Sequence, residues 1–163
     1  MQIKDFRTMY LAELTEAASF EEMMANALPF LAQNVSTDRL RNAIDEHVQE
    51  AKSQKQSMET LLRKYSGEIE SHTDQSMQAL VDESRKMAGM VPEGSLRDAA
   101  IIASIQRMKH YEVAVYGTLA TYAECLGLED DKNTLGAMLD REKDFDEALS
   151  EIAEEDVNPQ AAH

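Results

Sequence analysis

Apolar residues recur at spacings of three and four along four long stretches of this chain, the period of helices buried on one face. The first stretch runs from about Ile3 to Gln33 and aligns Ile3, Phe6, Tyr10, Leu14, Ala17, Met24, Leu28 and Leu31. Pro29 falls near its end and predicts a kink or break there. A second helix follows "NVSTD", with Ser36 or Thr37 as N-cap, and reaches about Ser66 on a stripe of Leu40, Ala43, Ile44, Ala51, Met58, Leu61 and Tyr65. A third opens at Ser95, where "SLRD" resembles a capping box closed by Asp98, and ends before Gly127. A fourth spans about Asp130 to Asp156 on Leu135, Met138, Leu139, Phe145, Leu149 and Ile152. The closing "NPQAAH" reads as a frayed tail, 158–163, after a single domain of residues 1–157.

The connections predict the topology. Links near 34–37 and 127–129 are short, so helices 1 and 2, and then 3 and 4, are antiparallel neighbours. Residues 67–94 form a longer connection with its own amphipathic piece (Met77, Leu80, Val81, Ser84, Met87), stopped by "GMVPEG". The predicted fold is therefore all-α: a ferritin-like four-helix bundle with a long helical crossover between helices 2 and 3.

Charge narrows the partners. Sixteen Lys and Arg against 31 Asp and Glu leave a net charge of −15 over 163 residues, which repels nucleic acid and anionic membranes alike. Neither a signal segment nor a transmembrane span is visible in the sequence. The lone Cys125 fits a reducing cytoplasm. The ten methionines read as flexible core filler, and the charge runs 129–132 and 154–156 as solvated helix ends.

Each long helix carries a polar interruption near the middle of its apolar stripe. Glu21 stands between Ala17 and Met24; His47, Glu50 and Gln54 lie between Ala43 and Met58. Glu112 sits between Met108 and Val115, and Glu142 with Asp146 between Met138 and Leu149. In antiparallel helices of ~45 Å, mid-helix positions converge on one central layer. A single Glu on a stripe is ordinarily a boundary residue reaching solvent; four helices broken at one level require another explanation. Buried carboxylates need compensation, and carboxylates with an imidazole are the ligand set of iron or manganese, as a pair of ions in bundles of this kind. His110 projects instead to the back of helix 3, among small residues including Ala103, Ala114, Gly117 and Thr121, a face expected to pack against the crossover or a second subunit.

Four stretches, "ALPFLAQ" (27–33), "EHVQE" (46–50), "RDAAIIASIQRMKHYEVAVYGTLATYAECLG" (97–127) and "LDREKDFD" (139–146), resemble the bacterial YciE/YciF proteins of the ferritin-like superfamily. The resemblance covers nearly the whole chain and implies a rubrerythrin-like fold, a stress-associated role and the metal ligands Glu21, His47, Glu50, Glu112 and Glu142, with Asp146 as a further candidate. On that basis Glu50 and Glu142 would bridge two ions, Glu21 and Glu112 would be terminal, and His47 a neutral donor. The chemistry implied is Fe(II) oxidation or peroxide consumption, with Tyr10, Tyr111 or Tyr116 as electron carriers in a cytoplasmic, homodimeric protein. One departure opposes this. Members of the family usually have Glu where this chain has Lys109, three residues before Glu112. Its ammonium could replace the charge of one metal, leaving one ion or none, or it could equally reach out to solvent and leave the site intact. The first case gives the alternative of a non-enzymatic structural or interaction protein.

Overall fold

The computed structural model describes residues 3–66 and 72–163; part of the long connection, 67–71, lies outside them. Five helices dominate: α1 Phe6–Gln33, α2 Asp38–Ser66, α3 Gln75–Met90, α4 Ser95–Cys125 and α5 Glu129–Ile152. A π-helical turn, Ala153–Val157, leads into the short α6, Asn158–Ala161.

Local chemistry sets the helix ends. Asp5 accepts from the Thr8 backbone at 2.8 Å while the Asp5 backbone donates to Thr8 Oγ1 at 3.1 Å, a capping box that starts α1 at Phe6. Ile3 therefore lies outside the helix and is 60% exposed, off the stripe expected for it. The helix continues through Pro29 to Gln33 without the expected break. Thr37 occupies the N-cap of α2, its carbonyl accepting from Arg41. The donors there are satisfied from another helix: Asp98 of α4 accepts from the Ser36 and Thr37 backbones, at 2.8 Å each. "SLRD" thus forms no capping box. Gly94, with φ of +115°, takes the N-cap of α4 without a side-chain cap, a conformation glycine tolerates best.

Cross-helix pairs fix the directions. Phe6 meets Tyr122 and Phe20 meets Tyr111, so α1 and α4 are antiparallel. Lys64 meets Asp131 and Arg39 meets Glu151, so α2 and α5 are antiparallel too. Helices α1 and α5 run one way, α2 and α4 the other, and α3 packs on α1 and α4. Two antiparallel pairs joined by a long crossover give the ferritin-like arrangement. The crossover is pinned at mid-bundle. Asp74 caps α3, its backbone donates to Ser19 Oγ at 2.9 Å, and its carboxylate accepts from the Tyr111 hydroxyl at 2.6 Å.

Leu14, Met24, Ile44, Met58, Ile105 and Leu149 are among the fully buried core residues. One expectation is corrected at the surface: the tail is not frayed, because Asn158–Ala161 form α6, which packs on α4. Of the two covers expected for the back of α4, crossover or second subunit, the crossover leaves the His110 side chain 71% exposed and Ala114 exposed in the single chain.

Candidate functional site

Every bundle helix delivers a polar side chain to one buried layer. Glu21 comes from α1, His47 and Gln54 from α2, Glu142 from α5, and Lys109, Glu112 and Tyr116 from α4. Spacings of three and seven on α4, and seven on α2, keep these side chains on the inward face. Phe145, three residues after Glu142, stacks on the His47 ring with centroids 3.8 Å apart and an 8° tilt, which fixes the imidazole's orientation.

The Lys109 ammonium is the hub. It donates to Glu142 Oε2 at 2.6 Å, lies 2.8 Å from His47 Nε2, and touches Glu112 Oε2. Because the ammonium is donor only, His47 Nε2 must face it with a lone pair. The imidazole is then neutral, which agrees with a pKa lowered by burial and then by Lys109. Glu21 joins through Tyr116, whose hydroxyl donates to Glu21 Oε1 and lies 3.5 Å from Gln54 Oε1.

Three buried carboxylates face one buried ammonium, and their titration divides accordingly. Burial works to raise Glu142, but Lys109 and His47 outweigh it and hold this carboxyl far below its ordinary range. Burial works to lower Lys109, but Glu112, Glu142 and Glu21 outweigh it and keep the amine charged. Glu21 is pushed up to about 8 by burial and by nearby Glu142, and Glu112 is raised well above its ordinary value, chiefly by burial. At pH 7 the layer holds a Lys109–Glu142 ion pair with a proton retained on Glu21. Tyr116 is also raised, by burial and then Glu21, so it remains a phenol.

Satisfaction is incomplete. The Lys109–Glu112 contact lacks hydrogen-bond alignment, so both Glu112 oxygens, together with Glu142 Oε1 and Gln54 Nε2, are buried without a hydrogen-bond partner.

The six ligand candidates divide. Glu21, His47, Glu112 and Glu142 share the layer. Glu50 instead turns to the surface and pairs with Arg141 at 2.7 Å, its side chain 35% exposed. Asp146 lies beside His110, 3.5 Å away. Among the three tyrosines considered as electron carriers, Tyr116 touches the layer, whereas Tyr10 bonds Asp131 and Tyr111 bonds Asp74. The donors as arranged do not fit an iron or manganese ion, because the Lys109 ammonium lies where they converge. Among the described residues no three His, Cys, Asp or Glu side chains are grouped to hold one.

Some buried polar residues were not singled out by their sequence pattern. Asp131, read as part of a solvated charge run, is 1% exposed and accepts from Tyr10 at 2.9 Å, Lys64 at 2.7 Å and Tyr65. Its position three turns from Glu142 and four before Leu135 was the available signal, masked by its acidic neighbours.

These features define an all-α bundle of ferritin-like topology with a polar central layer built around an internal ammonium. The chain belongs to the family described as Domain of unknown function (DUF892), which matches residues 5–162. It is 32% identical over 162 residues to Protein YciF of Escherichia coli (strain K12), covering 99% of this chain and 98% of that protein. The crystal structure of the E. coli stress protein YciF superposes with a TM-score of 0.90 at 31% identity, covering 96% of this chain and 99% of that one. YcfI of Rhodopseudomonas palustris, described as a candidate structural protein, gives a TM-score of 0.87 at 27% identity, covering 91% and 95%. The chain is thus a homologue of a stress protein. No helix among the described residues is long and apolar enough to cross a membrane.

Proposed function

We propose that this chain is a non-enzymatic helical protein of the stress-protein family, structural or interaction-based, whose bundle centre is closed by its own lysine. One observation carries the reading: the Lys109 ammonium is bound by Glu142, His47 and Glu112, which come from three different helices. These are the groups that a ligand or metal at this level would use, and each already faces the amine. The description of the similar YcfI as a candidate structural protein supports the same reading.

A second reading is favoured by Glu112 Oε1 and Glu142 Oε1, which are buried without a hydrogen-bond donor. In it, iron or manganese binds at this layer and the protein oxidises Fe(II) or consumes peroxide.

Metal analysis of protein expressed in iron- and manganese-replete medium separates the readings, followed by Fe(II) oxidation under oxygen and under peroxide. Substoichiometric metal, with oxidation no faster than in buffer, is the expected result. Stoichiometric iron or manganese with protein-dependent oxidation would establish the second reading instead.

A further inference from the structure

We propose that His110 is a phosphoryl-acceptor site, activated by Asp146 and bracketed by Arg107 and Lys143 on the outer seam between α4 and α5. The donor it fits is a small activated phosphoryl compound, one that carries phosphoryl on a good leaving group. This surface lies outside the lysine-closed centre, and the inference stands independently of how that centre is read.

A histidine becomes a nucleophile when a carboxylate holds one ring nitrogen and the other stays open. His110 has this arrangement. Its side chain is 71% exposed, and its Nε2 faces Asp146 Oδ2 at 3.5 Å, a separation that a small ring rotation closes to a hydrogen bond. Asp146 Oδ1 is buried without a hydrogen-bond partner, so no donor draws on that oxygen. The carboxylate favours the tautomer with the proton on Nε2 and leaves the Nδ1 lone pair free. The seam beside the pair is braced one turn away, where Gln106 Nε2 donates to Ser150 Oγ at 2.9 Å.

Charge suits the site to phosphoryl. Helices α4 and α5 are antiparallel, as the Gln106–Ser150 and His110–Asp146 pairs require. Arg107 precedes His110 by three residues and Lys143 precedes Asp146 by three. Each cation is therefore one turn away on its own helix, and the two fall on opposite sides of the pair. Both are exposed and free to hold phosphoryl oxygens. The α4 surface adds no repulsion, because its acids before Glu124, Asp98 and Glu112, are both buried. Ala114, one turn after His110, is small and exposed, which leaves the ring open to a donor. In the transfer, Nδ1 forms a bond to phosphorus as the bond from phosphorus to the leaving group breaks. The leaving group keeps that electron pair, and Asp146 stabilises the positive ring through Nε2–H.

The test incubates the whole chain with phosphoramidate, from which ammonia departs, and follows each histidine by peptide mass mapping at neutral pH. A mark stable in base and lost in acid identifies phosphohistidine. Two other exposed histidines serve as references: His163, and His72, whose partner Glu16 is 2.7 Å away with a further acid, Glu13, beside it. His110 should be marked roughly tenfold faster than either. Asp146→Asn should remove that advantage while the reference rates stay fixed. Arg107→Ala with Lys143→Ala should raise the phosphoramidate concentration needed for half the maximal rate. Thermal melts check that each variant is folded, and the wild-type comparison decides by itself where one is not. Marking of His110 no faster than His163 or His72 would overturn the inference, as would an advantage that survives Asp146→Asn in a folded chain. An unchanged concentration dependence without the two cations would overturn their part in it.

Discussion

Lys109 Nζ lies 2.6 Å from Glu142 Oε2, and neither side chain reaches solvent. Removing one member of such a pair strands the other charge in a dry interior, which costs about 3–5 kcal/mol. Lys109→Met and Glu142→Gln should each lose stability of that order in urea unfolding at pH 7. The double variant should be more stable than the sum of the two losses predicts, because it strands neither charge. Strict additivity would show that the ammonium does not depend on Glu142.

The same layer sets a pH dependence of unusual sign. Glu21 is raised to about 8 and Glu112 is raised too, first by burial. Between the ordinary carboxyl value of 4.5 and about 8, the folded chain therefore holds more protons on Glu21 than the unfolded chain does. Stability falls with rising pH wherever that holds, so Tm should decline between pH 7 and pH 8, above the range in which His47, whose pKa is lowered by burial, acts oppositely. Glu142 and Asp131 act oppositely: both are held low, and their contributions disappear in acid. Glu21→Gln imitates the protonated acid and still offers an oxygen to Tyr116, so it should flatten the decline. An unchanged slope in thermal melts of that variant would remove Glu21 from the cause.

Much of this is legible in the sequence alone. Helical periodicity and the lengths of the connections gave the bundle and its crossover, because burial on one face forces a regular spacing. The polar layer was legible for the same reason, as a repeated break in that spacing at Glu21, His47, Glu112 and Glu142. The partners of each polar side chain were not. Asp98 has the spacing of a local cap, yet it satisfies the α2 backbone across the bundle. Lys109 reads as a stripe-edge residue able to reach solvent, and only the packed geometry turns its flexible chain inward to 1% exposure. Local spacing determines which face a residue occupies; long side chains choose partners through tertiary contacts.

Asp131 tests that distinction at the opposite end of the bundle. It ties Tyr10 of α1, with Tyr65 and Lys64 of α2, to α5. Burial works to raise its pKa, but Lys64, Tyr65 and Tyr10 outweigh it and hold the carboxyl below its ordinary range. Its contribution is therefore complete above the unfolded value and lost as pH falls through the folded one. Asp131→Asn should cost about 1–3 kcal/mol at pH 7, the range for weakened buried hydrogen bonds. The deficit should shrink below pH 4 as the wild-type carboxyl protonates. A solvated Asp131 would instead leave both the urea midpoint and its acid dependence unchanged.

Glu50 and Glu142 were equivalent on the sequence, each a proposed bridge between two ions, and the fold separates them. Glu50 pairs with Arg141 at the surface, their side chains 35% and 51% exposed, whereas Glu142 is sealed against Lys109. Exposed ion pairs contribute up to about 1 kcal/mol, so Glu50→Ala should fall within that limit while Glu142→Gln loses several-fold more. Paired urea unfolding at pH 7 reads both effects. A loss on Glu50→Ala as large as that on Glu142→Gln would show that Glu50 does not sit in an exposed pair with Arg141.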